Sequence, residues 1–243
     1  MSRFFILIYS VATYFLFFGV FLYLIAFVMG LPVPTTVDEG MGHYGWIGNV
    51  AWIALFGVQH TIMARARFKQ WWTKFVPEAA ERTTFVLIAS LILVGLFRFW
   101  SPVPGHVWEI ESEAARVVLY ALSALGWGTA LLSTFLINHF DLFGLRQAYL
   151  HFSGKPYTQV QFKEALFYKH IRHPLMLGFL VAFWSTPSMS AGHFLFSATM
   201  SLYVLVGILF EERELISIHG SAYEVYAART GKLLPRFGLR SPN

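Results

Sequence analysis

Apolar residues in this chain neither alternate nor gather in short amphipathic stripes. They run in long blocks separated by short polar stretches. Residues 4–29, 46–63, 83–100 and 116–137 form four such blocks. Each reaches about 18 residues or more, the length a helix needs to cross a hydrocarbon core of roughly 30 Å. The first is longer than required and is expected to tilt. A fifth block, 174–210, is too long for one helix, and Thr186, Pro187, Ser188, Ser190 and Gly192 interrupt it. The pattern predicts a helical hairpin with a short arm, 174–185, and a full arm, 191–210.

Lysine and arginine give these segments a direction. Loops 30–45 and 101–115 contain neither, and the second carries Glu109, Glu111 and Glu113. Loop 64–82 carries Arg65, Arg67, Lys69, Lys74 and Arg82, and segment 138–173 carries Arg146, Lys155, Lys163, Lys169 and Arg172. The tail carries Arg213, Arg229, Lys232, Arg236 and Arg240, and the hairpin tip has no basic residue. Basic loops stay on the inner side, so both termini and the two large polar segments, 138–173 and 211–243, are expected in the cytoplasm. A single crossing by the last block would put the basic tail outside, against this rule.

Composition agrees with that picture. Hydrophobic residues make up 56% of the 243 and charged residues 13%, half of the roughly 25% usual in soluble domains. The mean hydropathy is +0.56. The expected fold class is all-α: a polytopic membrane helix bundle of four spans plus a C-terminal hairpin. It forms one domain over 1–243, with a four-span bundle at 1–137 and a catalytic core at 138–243. The first block is too long for a signal-peptide core and lacks a small-residue cleavage site, so it is expected to remain in the mature chain. The absence of cysteine excludes disulfides, thiolate metal sites and cysteine nucleophiles. The net charge of +5 is accounted for by topology, leaving no basic patch for nucleic acid.

Three inner-face motifs carry candidate chemistry. The first is YKHIRHPLMLG, residues 168–178. Pro174 suits the first position of a helix, with His173 near the cap and Arg172 before it. A helix start with its free N–H groups, next to a guanidinium, suits a carboxylate or phosphate. The alternative is basic residues anchoring a membrane helix. The second is INHFDLFGLRQ, residues 137–147, where Asp141 could orient His139 as a general base. Its alternative is a plain helix end capped by Asn138. The third, residues 211–237, begins with Glu211 and Glu212 directly after the apolar arm. Acids are disfavoured at a helix C-terminus, so the pair suits ribose hydroxyls or a cationic ligand. Its alternative is pairing with neighbouring Lys or Arg. Tyr223 and Tyr226, three apart, share a helical face.

His60 and His193 lie near opposite faces, which disfavours a bis-histidine haem. No dinucleotide-binding, phosphate-loop, zinc-protease or serine-hydrolase motif is present.

Taken in order, Arg172-His173-Pro174, Glu211-Glu212-Arg213-Glu214-Leu215, Gly220, Tyr223, Tyr226 and Leu233-Leu234-Pro235 resemble the isoprenylcysteine carboxyl methyltransferase superfamily of membrane methyltransferases, which takes in NnrU-like proteins and phospholipid methyltransferases. Segments 59–85, 131–152 and 178–193 resemble the bacterial methanethiol S-methyltransferases. Met176 departs from the superfamily, which usually has Tyr after Arg-His-Pro.

The resemblance implies S-adenosylmethionine as donor, methanethiol as acceptor and dimethyl sulfide as product. It also implies a bacterial inner-membrane location in contact with membrane lipid. No metal is required. The expected donor-holding residues are His170, Arg172, His173, Pro174, Gly178, Glu211, Glu212, Tyr223, Tyr226, Leu234 and Pro235. A small thiol is mostly protonated at neutral pH and needs a base. His139 oriented by Asp141 is the first candidate, with Tyr149, Tyr168 or a water chain as alternatives. A related enzyme acting on a lipid or isoprenyl thiol is the rival reading.

Overall fold

The structure, a computed structural model, describes residues 2–160 and 164–236. Lys163 and Arg240, counted above among the inner-face cations, lie outside the described residues. Five helices are long and apolar enough to cross a membrane: α1 (Arg3–Met29), α2 (Gly45–Ala64), α4 (Glu78–Phe99), α5 (Glu113–Ile137) and α9 (Ala191–His219). Four of them fall on the four predicted blocks. The hairpin is present as well, with α8 (Pro174–Trp184) as its short arm and α9 as its long one. At 1.5 Å per residue α8 reaches only about 16 Å. The described residues also form the short helices α3 (Ala66–Trp72), α6 (His139–Leu142), α7 (Leu145–Phe152) and α10 (Ser221–Arg229) and a 3-10 turn at Leu166–Lys169.

The chain forms two compact units that interleave along the sequence. One gathers α1–α4, α6, α7 and the first turns of α9 up to Thr199. It also holds a two-stranded antiparallel ribbon of β1 (His106–Glu109) and β2 (Ser188–Ser190). Small polar residues tie its helices together. Ser10 and Thr83 share a hydrogen bond of 2.7 Å, and the Tyr9 hydroxyl donates to Thr84 across 3.0 Å. The buried Asn49 amide both donates to the Ser101 carbonyl and accepts from its N–H, each at 2.8 Å. A buried amide satisfied on both sides avoids the desolvation cost of an orphaned polar group.

The other unit gathers α5, the segment entering α8, α8 itself, α9 from Met200 onward, α10 and the segment after it. Its α5–α8 contact is made by small residues. A Cβ on Gly126 would meet the Ala182 nitrogen at 2.6 Å, and one on Gly178 the Ala130 nitrogen at 2.6 Å. Backbones in such contact gain packing where lipid offers no hydrophobic driving force. The Ser123 hydroxyl adds a hydrogen bond to the Ala182 carbonyl at 3.2 Å.

One boundary differs from the sequence reading in a way that matters. The long hairpin arm does not end at Phe210. It continues through Glu211 and Glu212 to His219 and stops at Gly220, whose φ of 56° is left-handed. The residues from Glu211 to His219 are mostly good helix formers, so propensity carries the helix past its last apolar turn. The acidic pair therefore sits inside a helix, and the argument from an unfavourable helix C-terminus no longer applies to it.

Candidate active site

The cluster begins at the start of α8. His173 occupies the cap and Pro174 the first helical position, as the sequence suggests. The segment after α10 runs alongside this entry. Ile171 and Gly231 form a parallel bridge. The Arg172 N–H donates to the Gly231 carbonyl at 2.8 Å, and the His173 N–H to the Lys232 carbonyl at 3.1 Å. Gly231 is required here, because a Cβ would overlap the Leu234 carbonyl oxygen at 1.7 Å.

Arg172 is buried and engaged at Nε and at one terminal nitrogen. Its Nε donates to Glu212 Oε1 at 2.7 Å. One terminal nitrogen donates to the carbonyls of Ala227, at 2.8 Å, and Thr230. Lys232 Nζ reaches the other Glu212 oxygen at 2.9 Å. The guanidinium expected to receive an anion instead ties α9, α10 and the entry of α8 together through Glu212.

The two adjacent glutamates have different surroundings. Glu212 is met by Arg172, Lys232 and, at 3.4 Å, His173 Nε2. Glu211 meets His173 Nδ1 at 3.6 Å, and its side chain is 48% exposed. Glu211 therefore keeps acceptor capacity for a cationic ligand, whereas Glu212 has spent its own.

His173 lies between both carboxylates. Burial lowers its imidazole below the ordinary value, against the opposing pull of Glu212, so the ring is neutral at pH 7. Tyr223 and Tyr226 stand side by side, ring centroids 5.7 Å apart, on one face of α10. Burial pushes both phenols up to about 12, and it raises Tyr168 as well. The Tyr226 hydroxyl donates to the Tyr168 carbonyl at 2.7 Å, fastening α10 to the turn before α8.

Next to Lys232 a cavity of about 240 Å³ opens on α9, lined by Leu205, Val206, Ile208, Leu209, Lys232 and Leu233.

The structure thus gathers Arg172, His173, Glu211, Glu212, Tyr168, Tyr223 and Tyr226 within the second unit. The remaining expected donor residues are placed otherwise. Gly178 packs against Ala130 of α5, and His170, Leu234 and Pro235 are exposed. Thr230, Gly231 and Lys232 are additions that the sequence reading missed. Lys232 directly precedes the Leu-Leu-Pro motif, which was the available signal.

His139, Asp141 and Tyr149 belong to the first unit. His139 is buried and also neutral, because burial lowers its value. Its Nε2 meets the Tyr14 hydroxyl at 2.9 Å. Asp141 does not orient it. That carboxylate accepts from Arg146 at 2.9 Å and from the Tyr157 hydroxyl at 3.2 Å. A residue two positions along a helix points away from its neighbour. Tyr149 is exposed.

Comparison with known proteins returns close relatives along nearly the full length. The chain is 47% identical over 238 residues to the methanethiol S-methyltransferase of Mycobacterium tuberculosis, covering 97% of this chain and 98% of that one. It is 48% identical over 236 residues to methanethiol S-methyltransferase 1 of Bradyrhizobium diazoefficiens, covering 96% of this chain and 83% of that one. Human Nurim is 25% identical over 219 residues, covering 80% of this chain and 83% of that one. No family model matches, and no solved structure does.

Proposed function

The chain belongs to the methanethiol S-methyltransferase family, and from that premise we propose that it methylates methanethiol to dimethyl sulfide with S-adenosylmethionine as donor, at the Glu211–His173 cluster. It is a multi-pass membrane protein and a thiol methyltransferase. We place the cluster at the cytoplasmic face of a bacterial cell membrane, where the basic segments point.

The observation that carries the donor assignment is the difference between the two glutamates. A half-exposed carboxylate beside a neutral imidazole and a helix N-terminus suits a ligand that is both cationic and zwitterionic. Glu211 would face the cationic part. The first turn of α8 would face the carboxylate. Tyr223 and Tyr226 supply neutral aromatic surface for a flat heterocycle. The donor brings an electrophilic methyl group on a sulfonium.

The chain's own part is alignment and proton transfer. The thiol sulfur gains a bond to the methyl carbon as the methyl–sulfonium bond breaks, its electron pair returning to the donor sulfur. The S–H proton goes to a neutral imidazole. His173 is the proposed acceptor within the cluster, because Glu211 and Glu212 flank its two nitrogens and stabilise an imidazolium as the sulfonium charge disappears. His139, held by Tyr14, is the second proposed acceptor. His173→Gln and His139→Gln separate them: the true acceptor loses turnover while donor affinity stays.

The test of the function is purified protein with both substrates and headspace gas chromatography. Dimethyl sulfide that depends on protein and donor is expected. Donor binding without that product would move the acceptor elsewhere, and neither would end the proposal.

A further inference from the structure

A partly buried cation in the first unit has no acid of its own. Arg82 stands one turn into α4. Its Nε donates to the Leu142 carbonyl at 2.7 Å, and its guanidinium carbon lies 4.7 Å from the centroid of the Phe85 ring. Among the described residues no carboxylate pairs with it, and neither terminal nitrogen has a hydrogen-bond partner. Asp141, on the turn that receives its Nε, is already held by Arg146 at 2.9 Å and by the Tyr157 hydroxyl at 3.2 Å. Arg146, Arg172 and Arg229 each meet a carboxylate. A guanidinium that gives up water for one carbonyl and a ring face keeps a full charge and one side of its fork unspent. That fork matches two oxygens of one phosphate or carboxylate.

The Phe85 ring also brings α3 to this spot. Phe68 and Trp72 pack on the Met63–Phe85–Val86 cluster, and the His60 ring lies 4.7 Å from that of Phe85. Between Ala64 and Pro77 the chain carries Arg65, Arg67, Lys69 and Lys74 and no acid. Trp71 is 50% exposed and Phe75 70%, with their rings 5.5 Å apart. Cations interleaved with exposed aromatic rings, where one span ends and the next begins, are the composition of a segment at lipid-headgroup depth. On α2, Leu55, Val58 and Ile62 form an exposed apolar stripe that ends at this corner, and it offers a surface for acyl chains.

Charge selects among lipids. Arg65, Arg67, Lys69, Lys74 and Arg82 outnumber Glu78 and Glu81 in this corner. A zwitterionic headgroup would bring its own ammonium to a positive surface, whereas an anionic one brings only the phosphate. We propose that the α2–α3–α4 corner binds one anionic phospholipid. Arg82 grips its phosphate at two points, Arg67, Lys69 and Lys74 supply the attracting field, and Trp71 and Phe75 sit beside its glycerol. The site lies within the first unit and does not depend on the methyltransferase reading.

The experiment uses the full-length protein, purified in detergent and stripped of lipid. It is titrated with short-chain phosphatidylglycerol, with phosphatidylcholine of the same chain length, and with inorganic phosphate. Native mass spectrometry counts bound lipid, and the thermal midpoint follows stabilisation. Wild type is expected to hold one phosphatidylglycerol, to be stabilised by it, and to bind phosphatidylcholine about tenfold more weakly. Inorganic phosphate alone is expected to give no comparable stabilisation. Arg82→Gln should weaken phosphatidylglycerol binding about tenfold or more, through loss of a charge-assisted pair of bonds. Arg82→Lys keeps the charge and loses the fork, so it should fall between, and it gives a second reading if the glutamine variant is poorly folded. Arg67→Gln and Lys69→Gln should each cost about two- to fivefold, an effect that fades in high salt. Donor titration is the folding control, because the donor cluster belongs to the other unit.

Unchanged phosphatidylglycerol affinity in an Arg82 variant that still binds donor as wild type does overturns the proposal. Equal binding of phosphatidylcholine overturns it too, since the corner would then hold lipid without reading its charge. Stabilisation by inorganic phosphate as large as by lipid would make this a free-anion site and end the lipid assignment. A loss confined to the Arg67 and Lys69 variants would remove Arg82 as the anchor.

Discussion

Arg172 Nε donates to Glu212 Oε1 across 2.7 Å, and both side chains are largely buried. This pair joins the hairpin's entry to its exit. A second arm of the same guanidinium holds the end of α10 through the Ala227 and Thr230 carbonyls. Removing one member of a buried pair strands the other charge, at a typical cost of about 3–5 kcal/mol. Arg172→Ala is therefore expected to lower the thermal midpoint sharply, even in saturating donor. If it folds with wild-type stability and only donor affinity falls, Arg172 is a ligand-binding residue and the structural assignment is wrong.

Glu211 gives the opposite expectation. Among the described residues its ion-pair partner is His173 at 3.6 Å, and it is half exposed, so Glu211→Gln should barely move the thermal midpoint. It should raise the donor KM about two- to fivefold, a discounted value for one charge contact at a partly exposed site. Glu212→Gln should do the reverse, losing stability first. Equal donor KM values for wild type and Glu211→Gln would remove Glu211 from the donor site.

Much of this arrangement was legible in the sequence, and the reason is the membrane. Hydrocarbon thickness sets block length, so α1, α2, α4, α5 and the short arm of the hairpin could be placed within a few residues. The three polar motifs were legible as residue types. Their partners were not. Arg172 and Glu212 are 40 positions apart, and Tyr14 and His139 are 125 apart. No local pattern encodes such pairs. The Asp141–His139 dyad looked natural in the linear order, but one turn of α6 gives Asp141 to Arg146 and Tyr157. Helix α9 outran its apolar block because apolar content marks depth in the membrane, not helix length.

The pH dependence of stability follows from His173. Unfolded, the imidazole takes a proton near its ordinary 6.5; folded, burial delays that to lower pH. Between the two values the unfolded state binds more protons, so stability falls as pH falls through this window and is fully present above 6.5. Glu211, Glu212, Arg172 and Lys232 surround the ring, and the acids titrate too, so the useful quantity is a difference. Thermal midpoints of wild type and His173→Gln from pH 5 to 8 should run parallel above 6.5 and converge below it. Parallel curves throughout would mean that His173 titrates alike in the folded and unfolded states and that burial does not delay its protonation.

Two glycines in α5 separate packing from mere helix composition. A Cβ at Gly126 would lie 2.6 Å from the backbone nitrogen of Ala182, whereas one at Gly128 meets nothing within 4 Å. Backbone cannot rotate away as a side chain can, so Gly126→Ala forces α8 off α5. Since α8 carries His173 at its cap, the donor cluster moves with it. Gly178→Ala pushes at the same contact from the other side, at 2.6 Å from the Ala130 nitrogen, and should give the same outcome. Both are expected to lose monodispersity and donor binding together. Gly128→Ala is expected to be neutral or to stabilise by about 0.5–1 kcal/mol through helix propensity. Size-exclusion profiles and donor titrations of the three variants decide the matter: if Gly178→Ala stays monodisperse and loses only donor affinity, Gly178 touches the donor, as the sequence reading expected. If it fails alongside Gly126→Ala, its part is to let two helices meet.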